Sequence, residues 1–207
     1  MNITPAISAD RPETRLGALL DAAVGVFARF GYRKTSMDDV ARAAGVSRQG
    51  LYLSFANKEE LFRRALDHSL SQQLRAAVTS LSCDGASLET RLIEACNDWA
   101  GRFVGVIGVD AADLMCASTA LAGTMLAEYE WQFEEALASA LASSPMAERC
   151  AAANLQIADL ARALHATARG LKQRCKTREE FARAMTAAVR MTCMPSSQQR
   201  APKGANT

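Results

Sequence analysis

The sequence predicts an all-α protein of about nine helices, a small N-terminal helical head followed by a larger helical body. Three observations predict this. Apolar residues recur at i, i+3, i+4 and i+7 along most of the chain, the spacing of one helix face. Ser, Asn or Thr stands three residues ahead of Asp or Glu at Ser36, Asn57 and Thr177, the pattern of a capped helix start. No run carries the strict alternation of a half-buried strand, and no internal repeat is present.

Composition sets the outer limits. At 207 residues, 49% apolar and 22% charged, the chain can bury a core as one domain or two small ones. It shows neither a secretory leader nor an apolar run near the roughly 18 residues a membrane helix needs. A soluble, cytoplasmic protein without a membrane partner is therefore expected. Net charge is only +2, but residues 1–80 carry 11 Lys/Arg against 8 Asp/Glu, and the rest 13 against 14. Arg29, Arg33, Lys34, Arg42, Arg48 and Lys58 face only Asp38 and Asp39 in the stretch they span. That local surplus suits a protein that meets phosphate with one end. The six cysteines show no C-x-x-C spacing, so reduced, partly buried thiols are expected. With two histidines, no nucleophile elbow and no metal-ligand spacing, no catalytic residue, metal or cofactor is assigned.

Residues 1–10 lack periodicity and read as an arm. Leu16, Leu19, Leu20, Ala23, Val24, Phe27 and Phe30 form one continuous stripe, and Gly31 ends that helix. Ser36 caps the second helix with Asp39 answering, and Gly45 stops it in the left-handed conformation glycine adopts freely. Ser47 caps a third helix, Arg48 to about Ser54. Helix, glycine turn and short helix make a helix-turn-helix, whose second helix enters the major groove of double-stranded DNA. Residues 11–57 are read as this DNA-binding domain.

Asn57, with Glu60, opens a long helix to about Ser82, a lever that Cys83-Asp84-Gly85 breaks. Ser87 starts a helix carrying Leu88, Leu92, Cys96, Trp99 and Phe103, and Arg102 to Val109 reads as helix end and loop. A short helix from Asp110 to about Thr119 and a longer one from about Leu121 to Ala142 are expected next. Ser143-Ser144-Pro145 is a break; helices from about Ala152 to Cys175 and from the Thr177 cap complete residues 58–194. Residues 195–207 are polar, aperiodic and expected to be disordered.

The third helix concentrates groups that read DNA. Arg48 can bond guanine O6 and N7 bidentately, and Gln49 can pair with adenine or bond a phosphate. Gly50 lets the backbone approach closely; Tyr52 offers a ring and a hydroxyl; Ser54 can bond base or phosphate. Lys58, at a helix N-terminus, can share a phosphate with the helix end. Leu51 and Phe55 are assigned to the core.

The run AGVSRQGLYLSFANKEELF resembles the signature of the tetracycline-repressor (TetR) family of bacterial transcriptional regulators. Thr35, Val40, Ala41, Ala44, Gly45, Val46, Ser47, Leu51, Tyr52, Phe55, Lys58, Glu59 and Leu61 match in order without a gap, within a stretch from about Leu16 to Leu66. The resemblance implies a homodimeric repressor on a palindromic operator, released by a small-molecule effector not identified by the sequence. It implies DNA contacts at Met37, Arg48, Gln49, Gly50, Tyr52, Ser54 and Lys58. Leu53 stands where many members carry an aromatic or His, and no phosphate contact is assigned to it. The resemblance further implies an effector pocket, for which Trp99, Phe103, Met115, Met125, Tyr129, Phe133 and His165 are candidates. The last two helices would pair with a second copy through Ile157, Leu160, Leu164, Ala168, Leu171, Phe181, Met185 and Val189. An alternative keeps DNA binding and replaces the effector with a redox-sensing cysteine.

Overall fold

The computed structural model describes residues 12–106 and 111–194. The expected arm at 1–10, the tail at 195–207 and the loop and helix start at 107–110 lie outside the described residues. Among the described residues there are nine α-helices and one 3-10 turn, with no strand. The helices are α1 (Pro12–Phe30), α2 (Met37–Ala44), α3 (Arg48–Ser54), α4 (Lys58–Leu81), α5 (Leu88–Ala100), α6 (Ala111–Ala142), α7 (Met146–Ala152), α8 (Ile157–Arg174) and α9 (Arg178–Cys193). The 3-10 turn, Gly101–Phe103, follows α5, so Phe103 lies outside the helix it was expected to close.

The head is built as its caps dictate. Ser36 and Asp39 form the full reciprocal box on α2, and Gly45 takes φ 65° and ψ 27° at its end. Ser47 accepts from the Gly50 N–H to start α3. Asn57 caps α4 by accepting from Glu60, but the Glu60 carboxylate bonds the Ala56 N–H, one residue further out than a capping box requires. The stripe of α1 then covers Met37, Val40, Leu51 and Phe55.

Two apolar cores result, and they share helices. The head core takes Leu61, Phe62 and Ala65 from α4, and is lined by Leu114, Ala117 and Leu121 of α6. The body core takes Leu70, Ala77 and Leu81 from α4 and Phe133, Leu137 and Leu141 from α6, with Leu66 packing on both. A boundary drawn at 57/58 therefore falls where a chain connection runs, while the packing crosses it.

Two expected boundaries differ. The break expected near Ala120 falls at Ala122, whose backbone is non-helical (φ −145°, ψ 20°), so α6 is two helical segments joined at a kink. An alanine-rich run next to the lone Gly123 has no stop residue strong enough to end a helix, so the change of direction is absorbed within it. The helix expected from Ala152 starts instead at Ile157, because α7 precedes it. Ser144-Pro145, read as a pure break, starts α7: the Met146 N–H donates to Ser144 Oγ at 3.2 Å. Proline suits a first turn because the N–H it lacks has no helical partner there.

Candidate nucleic-acid interface

The third helix presents its groups by a simple rotation. Leu51 and Phe55 are 0% and 2% exposed and dock α3 on the head core. At about 100° per residue, Leu53 falls about 180° from the midline of that pair. Gln49 and Gly50 flank Leu53 on the outer crest, while Arg48 and Tyr52 sit on one flank and Ser54 on the other. The observed burial agrees: Leu53 is 83% exposed, Tyr52 43%, and Gln49 and Ser54 are exposed.

The polar partners refine the expected roles. Arg48 Nη1 bonds Asp38 Oδ2 at 2.9 Å, and its guanidinium lies 5.6 Å from the Tyr52 ring centre. This single contact ties one nitrogen of its fork to α2, between side chains that are 66% and 46% exposed. Ser54 Oγ donates to the Gly50 carbonyl at 3.3 Å. Two expected contact residues have partners within the chain. Met37 is 7% exposed and its side chain lies in the head core, since the first residue of α2 falls on the inward face with Val40 and Ala41. Lys58 Nζ donates to the Tyr32 and Thr35 carbonyls at 3.0 Å each and reaches that of Arg33 at 3.4 Å. It also lies 4.5 Å from the Tyr32 ring centre. Its ammonium thus closes the turn between α1 and α2, whose carbonyls have no helical partners, and does not project outward.

The positive surplus is partly neutralised too. Besides the Arg48 pair, Arg42 lies 3.5 Å from Asp39 and Arg33 is held by Asp113 of α6. The Ser36 hydroxyl, its N–H and then Arg42 hold the Asp39 carboxyl below the usual carboxylate range. The sequence reading missed Asp38 as a brace and Thr35 and Tyr32 as the seat of Lys58. Asp38 was detectable in principle as an acid in the first turn of α2, but its partner ten residues on was not.

Residues 19–65 match the model of bacterial regulatory proteins, tetR family. Over that stretch the chain is similar to the tetR family. It is 38% identical over 73 residues to an uncharacterized HTH-type transcriptional regulator, YfiR, of Bacillus subtilis, spanning 35% of this chain and 36% of that one. It is 36% identical over 77 residues to the HTH-type transcriptional repressor ComR of Escherichia coli, 37% of each chain. These matches span about a third of the relatives' length. The fold as a whole is similar to a TetR-like transcriptional regulator from a Rhodococcus species: TM-score 0.59, 23% identity, 88% of this chain and 98% of that one.

In the body the effector candidates stand in different surroundings. Trp99 and Phe133 are 6% and 0% exposed and stack at 4.8 Å, 16° apart. His165, 2% exposed, stands edge-on to both. The indole N–H of Trp99 can only donate, so His165 Nε2 accepts it at 3.2 Å. Nδ1 of the neutral ring then carries the proton and donates to Glu134 Oε1 at 2.7 Å. These three are packed in the core, with every ring nitrogen occupied. Met115 is 55% exposed. Met125 lines an open notch of ≈ 310 Å³ with Glu60, Arg63, Arg64 and Asp67, and Tyr129 Oη donates to Asp67 Oδ1 at 2.7 Å. Phe103 is half-buried, with Arg102 and Lys172 each 5.9 Å from its ring centre.

The expected pairing stripe also packs largely within the chain. Leu164, Ala168, Phe181, Met185 and Val189 are at most 3% exposed and belong to their own chain's core; Ile157, Leu160 and Leu171 pack against it. Apolar periodicity marks the buried face of a helix but not the body it is buried against. The outward faces are different residues: Ala182, Arg183, Thr186, Ala187 and Arg190 line a shallow groove on α9.

The cysteines are free, with Cys83 and Cys116 exposed. Burial pushes the Cys96 thiol up to about 12, which leaves it protonated and unreactive. No group of three or more His, Cys, Asp or Glu among the described residues could hold a metal, and no described helix is long and apolar enough to cross a membrane.

Proposed function

We propose that this chain is a sequence-specific DNA-binding repressor of transcription, acting in the cytoplasm as a homodimer and released by a small-molecule effector. The observation that carries the reading is the geometry of α3. A short helix is docked by Leu51 and Phe55, capped by Ser47 and braced by the Arg48–Asp38 pair, and its opposite crest is left outside the chain's own packing. A crest held that rigidly suits insertion into a major groove. The family match and the repressor among the relatives support the same reading.

Pairing would use the outward faces of α8 and α9, through residues such as Thr186 and Ala187, bringing two α3 helices about 34–36 Å apart on one face of the duplex. An effector acts by favouring one spacing of the two heads over the other. Two helices link head and body: α4, and α6 on either side of its Ala122 kink.

The test is anisotropy of a labelled duplex from the chain's own upstream region. Gln49→Ala is expected to weaken binding by about tenfold, one lost bidentate pair, and Tyr52→Ala to weaken it as well. Unchanged affinity in both variants would remove α3 from the interface. Sedimentation of the parent and of Ala187→Glu tests the pairing face.

A further inference from the structure

The crest of α3 carries Leu53 where many members of the resembling family carry an aromatic or His. Leu53 is 83% exposed, the highest exposure among the large apolar side chains described. A single exposed leucine is ordinary on a protein surface. What distinguishes Leu53 is its position, diametrically opposite the docked pair Leu51 and Phe55, so that in any groove α3 enters Leu53 points at the floor. Gln49, one turn earlier, stands beside it on the same face. Arg48, the group suited to guanine, is turned to the flank and held by Asp38 at 2.9 Å.

Chemistry then limits what Leu53 can meet. The base edges in the major groove display hydrogen-bond donors and acceptors, and one apolar group, the thymine 5-methyl. A leucine over any other edge would bury donors or acceptors without partners, which is costly. Gln49 supplies the fork that matches adenine N6 and N7. We propose that Leu53 packs on the 5-methyl group of a thymine in each operator half-site, next to an adenine read by Gln49, so that α3 is matched to a step of A·T pairs. Discrimination therefore comes from a methyl contact and an amide pair, while Arg48 positions the helix. The inference rests on DNA binding through α3 as proposed above.

The experiment begins with the full chain and a pool of random-sequence duplexes, from which bound sequences are selected. In a selected duplex, each thymine is replaced in turn by deoxyuridine, symmetrically in both half-sites, and affinity is measured at fixed salt. One methyl corresponds to about fourfold per half-site and about fifteenfold for the pair. One symmetric thymine is expected to show that loss, next to an adenine whose replacement is tolerated by Gln49→Ala and not by the parent. Leu53→Ala, a change on the fully outward crest, is expected to bind the thymine and deoxyuridine duplexes equally. A parent indifferent to every deoxyuridine overturns the proposal, and so does a deoxyuridine effect that survives in Leu53→Ala. If the chain selects no sequence at all, DNA reading by α3 fails first and the methyl contact falls with it.

Discussion

Head and body each bury a trio of rings, and the two trios are held together differently. In the head, Phe62 meets Phe27 and Tyr32 edge-on, both at 5.0 Å, and the set is closed by Lys58 over Tyr32. In the body, a hydrogen-bond chain runs through the trio, from Trp99 to His165 to Glu134. The head's elements are fixed by signals a few residues apart: Ser36 with Asp39, Ser47 with Gly50, Gly45 at its positive φ. The body's chain joins residues 66 and 31 positions apart. A head assembled from local signals can be rigid by itself, whereas a body assembled from distant pairs is the part whose packing can be rearranged.

The largest test of this difference is His165→Leu. It leaves the Trp99 N–H and the Glu134 carboxylate without their partner inside the body, at a cost of about 3 kcal/mol. Denaturant unfolding measures the loss, and hydrogen exchange should place it in α5, α6 and α8 while α1 to α3 keep their protection. An equal loss of protection in the head would mean that the two cores unfold as one.

That contrast also explains what was legible beforehand. The bounds of α3 and the caps at Ser36, Ser47, Asn57 and Thr177 follow from residues within four positions of one another, and the structure has them. Leu164, Phe181 and Met185 were legible as an apolar stripe, but a stripe does not say whether it meets its own chain or another. The same limit hid the Arg48 brace and the carbonyl seat of Lys58, since side-chain direction depends on contacts 10 and 23 to 26 residues away. Helix α7 was missed because a Ser-Pro pair serves equally as a stop and a start.

A second, smaller effect tests the head's closure. Lys58→Met keeps the stem that packs beside Tyr32 but removes the charged donor from the α1–α2 turn. About 2 kcal/mol is expected to be lost, the scale of a hydrogen bond to a charged group. Thermal unfolding of the variant measures it. If Lys58 faced phosphate alone, the unbound variant would be as stable as the parent.

The smallest effect lies at the seam where α4 and α6 join head to body. Desolvation first, and then the bond to Asp67, push the Tyr129 phenol up to about 12 from its ordinary 10.0. The raised value means that the folded state holds this proton more tightly than the unfolded state. The stabilisation is therefore complete below pH 10, declines as the unfolded chain ionises, and is gone once pH passes about 12. Because the phenol is half exposed, solvent screening keeps the effect below about 1 kcal/mol. The difference in unfolding free energy between the parent and Tyr129→Phe should shrink or change sign across that window. Should the difference stay flat instead, the Asp67 bond does not persist in solution, and α4 and α6 would be joined at this seam by apolar contact alone.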